Sequence, residues 1–361
     1  MSESRVTRDG LRGERPGREA LFGNGMDGER RSPDGEGTGQ AGRAGRAGRR
    51  GKDRRRGEDV AVPPAEFSSY YGRPIVKAPS WAPTDIAGYL FLGGLAGAGS
   101  VLAAGAAHTG RRGTARAMKV SSLGAIVLST AALIHDLGRP DRFTHMLRVF
   151  KPTSPMSMGS WLLAVYGPLA GTAAASELTG RLPRTGSAAT RGAALLGPVV
   201  AAYTGVLLAD TAVPAWHEAH RELPYLFTAS AAGAAAGMAL LTGPPAENGP
   251  ARRAAVLGTA AELTVMRRLH RGAGLAAETY RRGTAGRLLR TAERLAVAGA
   301  AGAALLAGRS RAAAALSGAA LLAASACTRF GVFHAGIASA RDPAYTVAPQ
   351  RERLDARGTE G

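Results

Sequence analysis

The chain has little cysteine and few aromatic residues, and both shortages narrow its possible functions. Its one cysteine, Cys327, excludes a disulfide framework or a cysteine-ligated iron–sulfur cluster within the chain. Aromatic residues make up only 5% of the 361 residues, whereas there are 50 glycines. Glycine and alanine at high density inside apolar stretches favour close approach of helices in lipid. The composition therefore indicates a membrane bundle rather than a soluble domain.

The net charge of +19 invites a nucleic-acid-binding interpretation, but the positions of the charges argue against it. The first 60 residues hold 15 basic and 11 acidic residues, and the other 31 basic and 16 acidic residues lie around the apolar segments. Basic loops between apolar helices match the positive-inside bias and attract anionic lipid headgroups. We therefore expect contact with membrane lipid and no nucleic-acid partner.

Changes in composition divide the chain into four parts. Residues 1–61 are rich in glycine and arginine, cannot bury a core, and are predicted to be a disordered basic tail. Residues 62–85 are rich in proline and aromatics and are predicted to be an extended surface segment. A membrane domain is expected over 86–340, followed by a C-terminal tail over 341–361.

Eight apolar stretches predict membrane-spanning helices. A helix needs about 20 residues to cross roughly 30 Å of hydrocarbon, and five or six stretches meet that length plainly. The eight stretches are 86–107, 118–134, 158–177, 192–213, 223–242, 252–267, 287–307 and 312–335. The predicted fold is an all-α, polytopic bundle of about eight spans, with seven as the alternative. Eight spans place both termini on one side of the cell membrane, and the positive-inside bias favours the cytoplasm.

Polar residues cluster where the second predicted span ends. The cluster starts with His135 and Asp136 and continues through Gly138, Arg139 and Pro140, which stop a helix. In one interpretation this is a capped loop in which Asp136 pairs with Arg139 or Arg142. In the other it is an ionisable cluster at the mouth of a cavity, where it binds a polar headgroup or transfers protons.

A second cluster lies on the fourth predicted span. Tyr203 and Asp210 are seven residues apart, so they share a helix face. Asp210 lies about 10 Å closer than Tyr203 to the end of the span. The second and fourth spans exit on the same side, which allows Asp136 and Asp210 to approach each other. A phenol and two carboxylates suit a quinone, because the hydroxyl can bond a carbonyl and a carboxylate can exchange a proton. Alternatively, Asp210 is an ordinary interfacial residue at a helix end.

Histidine-based sites are not favoured by the sequence. His217, Glu218 and His220 differ from the His-Glu-x-x-His zinc pattern in spacing, and no third ligand is evident. Most other histidines lie at or beyond the ends of spans, whereas a haem needs histidine pairs at membrane depth. We therefore expect no metal site and no haem, although a pair formed by His135 and His334 is left open.

Four pieces of sequence carry a resemblance to a known family. They are DLGRPDRFTHML at 136–147, SPMSMGSW at 154–161, YTGVLLA at 203–209 and VPAWHEAHRELPYLFTAS at 213–230. In this order they resemble the NrfD, or polysulfide reductase, family of membrane subunits. The resemblance covers about residues 70–345. Two places depart from the family's pattern: its polar residues at the start of the first span are not clearly matched, with only Asp85 and Tyr89 present, and Met158 stands where an aromatic is common.

The resemblance implies an eight-helix membrane anchor without a bound cofactor of its own. Its partners would be a 4Fe-4S ferredoxin-like subunit and a molybdopterin catalytic subunit, and its exchangeable substrate a menaquinone or ubiquinone. By similarity, Tyr203 would bond the quinone carbonyl, Asp136 would be the neighbouring acid, and Arg139 would fix the loop. His135 and Asp210 complete the predicted quinone and proton-transfer site.

The expected function is therefore electron transfer between an iron–sulfur partner and membrane quinone, with the catalytic centre on another subunit. Docking on that partner is predicted for the extended segment, through Tyr70, Tyr71 and Arg73. Two alternatives stay open from the sequence: a transporter or channel, and a purely structural membrane anchor that binds partners but no quinone.

Overall fold

The computed structural model divides the chain into two units, Met1–Phe67 and Ser68–Gly361. Its described residues are 5–7, 10–12, 75–79, 81–136 and 145–358. In the first unit, the strands β1 (Arg5–Thr7) and β2 (Gly10–Arg12) pair antiparallel. The rest of the predicted disordered tail lies outside the described residues, so its disorder stays a prediction.

The described part of the second unit is helical and contains eight long helices. They are α1 (Pro83–His108), α2 (Arg112–Asp136), α3 (Pro155–Thr179), α4 (Pro183–Ala209), α6 (Leu223–Thr242), α7 (Gly249–Gly272), α9 (Gly283–Leu305) and α10 (Arg311–Arg341). Short helices α5 (Pro214–Glu218) and α8 (Ala277–Arg281) lie between them, and α11 (Ala344–Gly358) follows α10. The predicted all-α bundle is confirmed.

Five of these helices are long and apolar enough to cross a membrane: α1, α2, α4, α6 and α10. The other three long helices, α3, α7 and α9, have a lower mean hydropathy or more charged residues. Several arginines lie on the exposed sides of α7 and α9. An eight-span count is therefore not established for the described residues, although eight helices have the length that it requires.

The long helices pack as two groups of four, α1 to α4 and α6, α7, α9 and α10, with α1 and α6 in contact at the centre. Each group contains a close crossing of two glycines. A Cβ atom on Gly97 of α1 would lie 2.3 Å from the carbonyl oxygen of Gly197 on α4. A Cβ on Gly237 of α6 would lie 2.6 Å from the carbonyl oxygen of Gly318 on α10. Only glycine permits helices to approach so closely, as the high glycine content suggested.

The fourth long helix ends earlier than the apolar pattern predicted. It stops at Ala209 rather than at residue 213, and Asp210 is the first residue beyond it. Pro214 begins α5, and the residue before it, Val213, is extended, as the residue preceding a proline usually is. The chain therefore turns between the two helices, and Asp210 lies in that turn.

Candidate functional site

Two side chains at the end of α2 tie that helix to the start of α1. The Asp136 carboxylate accepts a hydrogen bond from the backbone N–H of Ala82 at 3.2 Å, directly before α1. The neighbouring His135 Nδ1 lies 2.8 Å from the Asp85 carboxylate. A carboxylate at a helix N-terminus is favourable because it meets unpaired N–H groups and the positive end of the helix dipole. These contacts fix the position of the start of α1 against the end of α2.

One turn further into α1, a tyrosine meets a second tyrosine from α4. Tyr89 lies one helical turn beyond Asp85 and is only 2% exposed. Its hydroxyl is hydrogen-bonded to the hydroxyl of Tyr203, and either oxygen can be the donor. Gly159 of α3 makes room for the second ring, because a Cβ there would lie 2.6 Å from Cε2 of Tyr203. Three helices thus hold two phenols side by side.

The two phenols and Asp136 line a cavity of about 110 Å³ enclosed by α1 to α4 and the segment before α3. Besides these three residues, the lining has two polar groups, the hydroxyl of Ser160 and the indole N–H of Trp81. The remaining lining residues are apolar or glycine. The lining residues are Trp81, Ile86, Tyr89, Leu90, Leu133, Asp136, Met146, Met156, Gly159, Ser160, Leu163, Tyr203, Leu207 and Leu208. Among them, Asp136 is the only carboxyl, and there is no lysine or arginine.

A stack of aromatic rings forms one wall of this cavity. Trp81 lies parallel to the fully buried Trp216, with ring centroids 6.0 Å apart. The Trp216 indole N–H donates to the carbonyl of Val332 at 2.9 Å, so α5 and α10 support the ring from behind. The contact explains Gly336, because a Cβ at that position would lie 1.9 Å from the indole. The cavity wall is therefore braced by the other half of the bundle.

The structure brings some of the residues predicted from sequence together and leaves others apart. Tyr203 and Asp136 line the same cavity, and His135 lies exposed beside it, bonded to Asp85. Asp210 is exposed in the turn after α4 and is not a lining residue. Arg139 and the predicted docking residues Tyr70, Tyr71 and Arg73 lie outside the described residues.

Three contributors to the site are not among the site residues predicted from the sequence. Asp85 and Tyr89 are the polar residues at the start of the first span, and their spacing of four places them on one helix face. What the sequence did not reveal was their partners on α2 and α4. Gly159 carried no signal of its own, since its role depends on the position of the Tyr203 ring.

The histidine pair after α5 has a local role. His220 Nδ1 lies 2.9 Å from the carbonyl oxygen of His217, and the two rings are 6.0 Å apart. In the part of the chain that the structure describes, no three His, Cys, Asp or Glu side chains are grouped closely enough to hold a metal ion.

Comparison with known proteins finds one family that the cavity-forming part of the chain resembles. Residues 77–248 match the family described as "Polysulphide reductase, NrfD". This stretch includes α1 to α6, and with them every described helix that contributes to the tyrosine cavity. No curated protein matches the chain. Residues 77–248, a little under half of the chain, therefore resemble an NrfD (polysulphide reductase) domain, and five of the described helices are apolar enough to cross a membrane.

Proposed function

We propose that the chain is the quinone-reactive membrane subunit of an oxidoreductase complex. It passes electrons between an iron–sulfur partner subunit of a molybdopterin enzyme and the quinone pool of the membrane. The observation that carries this proposal is the phenol pair Tyr89–Tyr203, which faces an apolar cavity beside the carboxyl of Asp136. The similarity of residues 77–248 to the NrfD family supports the same assignment.

A quinone supplies two-electron, two-proton redox chemistry, and this site offers the groups that such chemistry needs. The Tyr203 hydroxyl donates a hydrogen bond to a carbonyl oxygen of the ring, while Tyr89 orients that hydroxyl. Asp136 takes up or gives back a proton near the membrane face. The surrounding leucine and tryptophan side chains exclude water, which strengthens each of these hydrogen bonds.

The cavity in its present form is too small to hold a quinone ring. Its volume of about 110 Å³ is below the roughly 150 Å³ that holds a benzene molecule in an engineered protein cavity. Two wall residues, Met146 and Met156, have flexible thioether side chains that repack at low cost. We therefore expect the head group to enter by displacing these methionines, with its isoprenoid tail left in lipid.

The electron partner follows from what the chain lacks. One cysteine cannot ligate an iron–sulfur cluster, so electrons reach the cavity from a cluster on another subunit. The site lies where α1 begins and α2 ends, close to one face of the bundle. We therefore expect the iron–sulfur subunit to dock on that face.

Tryptophan fluorescence provides a direct test with the full chain purified in detergent. Quinones quench tryptophan emission on contact, and Trp81 is part of the cavity wall. Titration with menadione should quench the emission saturably. Tyr203→Phe should weaken the affinity by about fivefold to tenfold, because one hydrogen bond contributes about 1 kcal/mol.

Tyr166→Phe is the matched control. Tyr166 is also buried in the bundle, but its hydroxyl bonds Ser100 and the carbonyl of Ala96, both at 2.6 Å, away from the cavity. This variant should retain the affinity of the unmodified chain. If both variants bind menadione equally well, or if quenching is absent altogether, the purely structural anchor becomes the better account.

A further inference from the structure

The helix group α6, α7, α9 and α10 contains a buried carboxyl to which the proposed quinone chemistry assigns no role. Glu262 lies on α7, ten residues before its end and so about 15 Å along the helix from it. The residue is only 7% exposed. Its carboxylate accepts a hydrogen bond from the hydroxyl of Thr328 on α10 at 2.7 Å. An acid at this depth is costly to bury, and in membrane proteins such residues usually have a function.

A buried arginine lies beside it without forming a direct ion pair. Arg329 is 0% exposed, lies 4.0 Å over the ring of Phe227 and donates to that residue's carbonyl oxygen at 2.6 Å. Among the described residues, no carboxylate lies within 4.0 Å of its guanidinium, and its Nη1 has no hydrogen-bond partner. The guanidinium cannot deprotonate readily, so Glu262 is the one of the two whose charge can change.

A cavity of about 320 Å³ leads from Glu262 and Thr328 to the surface of the bundle. Its floor is buried, whereas Arg267, Arg290 and Glu293 on its rim are exposed. His270 lies on the wall, and its Nδ1 is buried without a partner in the described part of the chain. Orphaned polar atoms and a charged rim are typical of a cavity that water enters.

Charged and titratable groups face Glu262 from nearly every element around it. Helix α6 contributes the hydroxyl of Ser230 and has no charged residue. The phenol of Tyr280 on α8 lies on the cavity wall, fully buried, and this burial raises its pKa. The charged groups and the histidine are Arg267 and His270 on α7, Arg281 on α8, Arg290 and Glu293 on α9, and Arg329 on α10.

We propose that Glu262 is a proton-exchange site, reached by water through this cavity from the side where α7 ends. The carboxylate binds a proton delivered by water to form the neutral acid, and releases it by the same route. No electron is transferred in this step. Burial favours the neutral acid, while the hydroxyl of Thr328 and the charge of Arg329 favour the carboxylate, so both forms are accessible.

This inference does not depend on the quinone site. Glu262, Thr328 and the cavity lie on α7 to α10, beyond the residues 77–248 that match the family. The two regions are nevertheless in contact. Arg329 Nε donates to the carbonyl oxygen of Leu90 at 3.4 Å, and the side chain of Leu90 lines the tyrosine cavity.

Infrared difference spectroscopy on the full chain in lipid films tests the proposal. A protonated carboxyl has a carbonyl stretch separate from the amide bands, and the band shifts in deuterated water only if the proton exchanges. We expect a band that titrates with pH, shifts promptly on deuteration and is lost in Glu262→Gln. Thr328→Val should raise the titration midpoint, since it removes a hydrogen bond that favours the carboxylate.

Glu177→Gln is the matched control, because Glu177 is a partly buried carboxylate of α3 held by Lys119 at 2.7 Å. That variant should retain the band with an unchanged midpoint. The proposal is overturned if Glu262→Gln leaves the spectrum unchanged. It is equally overturned if the Glu262 band neither titrates nor exchanges with solvent.

Discussion

Single residues at the tyrosine cavity illustrate what local sequence can and cannot predict. Asp136 and Tyr203 were predictable because an acid at the end of a span and a phenol within one are unusual in lipid. Their contacts with Ala82 and Tyr89 were not, because those depend on which helices become neighbours. Asp210 seemed as suitable as Asp136 from its spacing to Tyr203, yet the turn before Pro214 leaves it exposed and away from the cavity.

Gly159→Ala tests the packing of the Tyr203 ring. The added methyl would lie 2.6 Å from Cε2 of that ring, so the phenol must move out of its place in the cavity. We expect menadione affinity to fall about tenfold, equivalent to about 1.4 kcal/mol, in the quenching titration. Gly167→Ala on the same helix is the control, since nothing lies within 4 Å of its Cβ position. Equal losses in the two variants would contradict the proposed role of Gly159.

At the scale of helices, composition predicted the elements better than their ends or their partners. The apolar stretches predicted all eight long helices, but helix ends depend on prolines, glycines and caps contributed by other segments. The start of helix α2 is an example. There the carboxylate of Glu247, from the α6–α7 connection, accepts hydrogen bonds from the backbone N–H groups of Gly113 and Thr114. Such a cap between distant segments leaves no periodic signal in the sequence.

The α1–α4 crossing provides a test of helix packing. Gly97→Ala places a Cβ 2.3 Å from the carbonyl oxygen of Gly197, and backbone atoms cannot move aside without separating the helices. We expect a loss of about 1–3 kcal/mol in the free energy of unfolding, the usual cost of overpacking. Gly105→Ala on the same helix has nothing within 4 Å of its Cβ position and should be neutral. Thermal unfolding in detergent measures the stability of the two variants. A Gly97→Ala chain as stable as the Gly105→Ala chain would disprove the close crossing.

The Glu247 cap predicts a pH dependence of stability. The hydrogen bond from Thr114, at 2.7 Å, is the main cause of the lowered pKa of this carboxyl. A folded-state pKa below the unfolded value of about 4.3 means that the stabilisation is fully present above that value. It is lost as the pH falls through the lower, folded-state pKa. Glu247→Gln should therefore lower the melting temperature at neutral pH but not in strong acid, and an equal effect at both would refute the cap.

At the scale of the whole molecule, the two groups of four helices separate two kinds of polar site. The α1–α4 group contains the phenol pair and Asp136, and the α6–α10 group contains Glu262 and Arg329. The sequence predicted an all-α membrane bundle and its family from ordered motifs. It did not predict this division, because the contacts of α1 with α4 and α6 join distant parts of the chain, such as Tyr89 and Tyr203.

The central claim is that quinone binds in the tyrosine cavity, and photolabelling locates the binding site most directly. The full chain in membranes would be irradiated with an azidoquinone, and the modified residues identified by mass spectrometry. We predict labelling on α1, α3 and α4 around Tyr89, Gly159 and Tyr203, suppressed by excess unmodified quinone and reduced in Tyr203→Phe. Labelling spread over the lipid-facing surface, or concentrated on α7 and α9, would contradict the account.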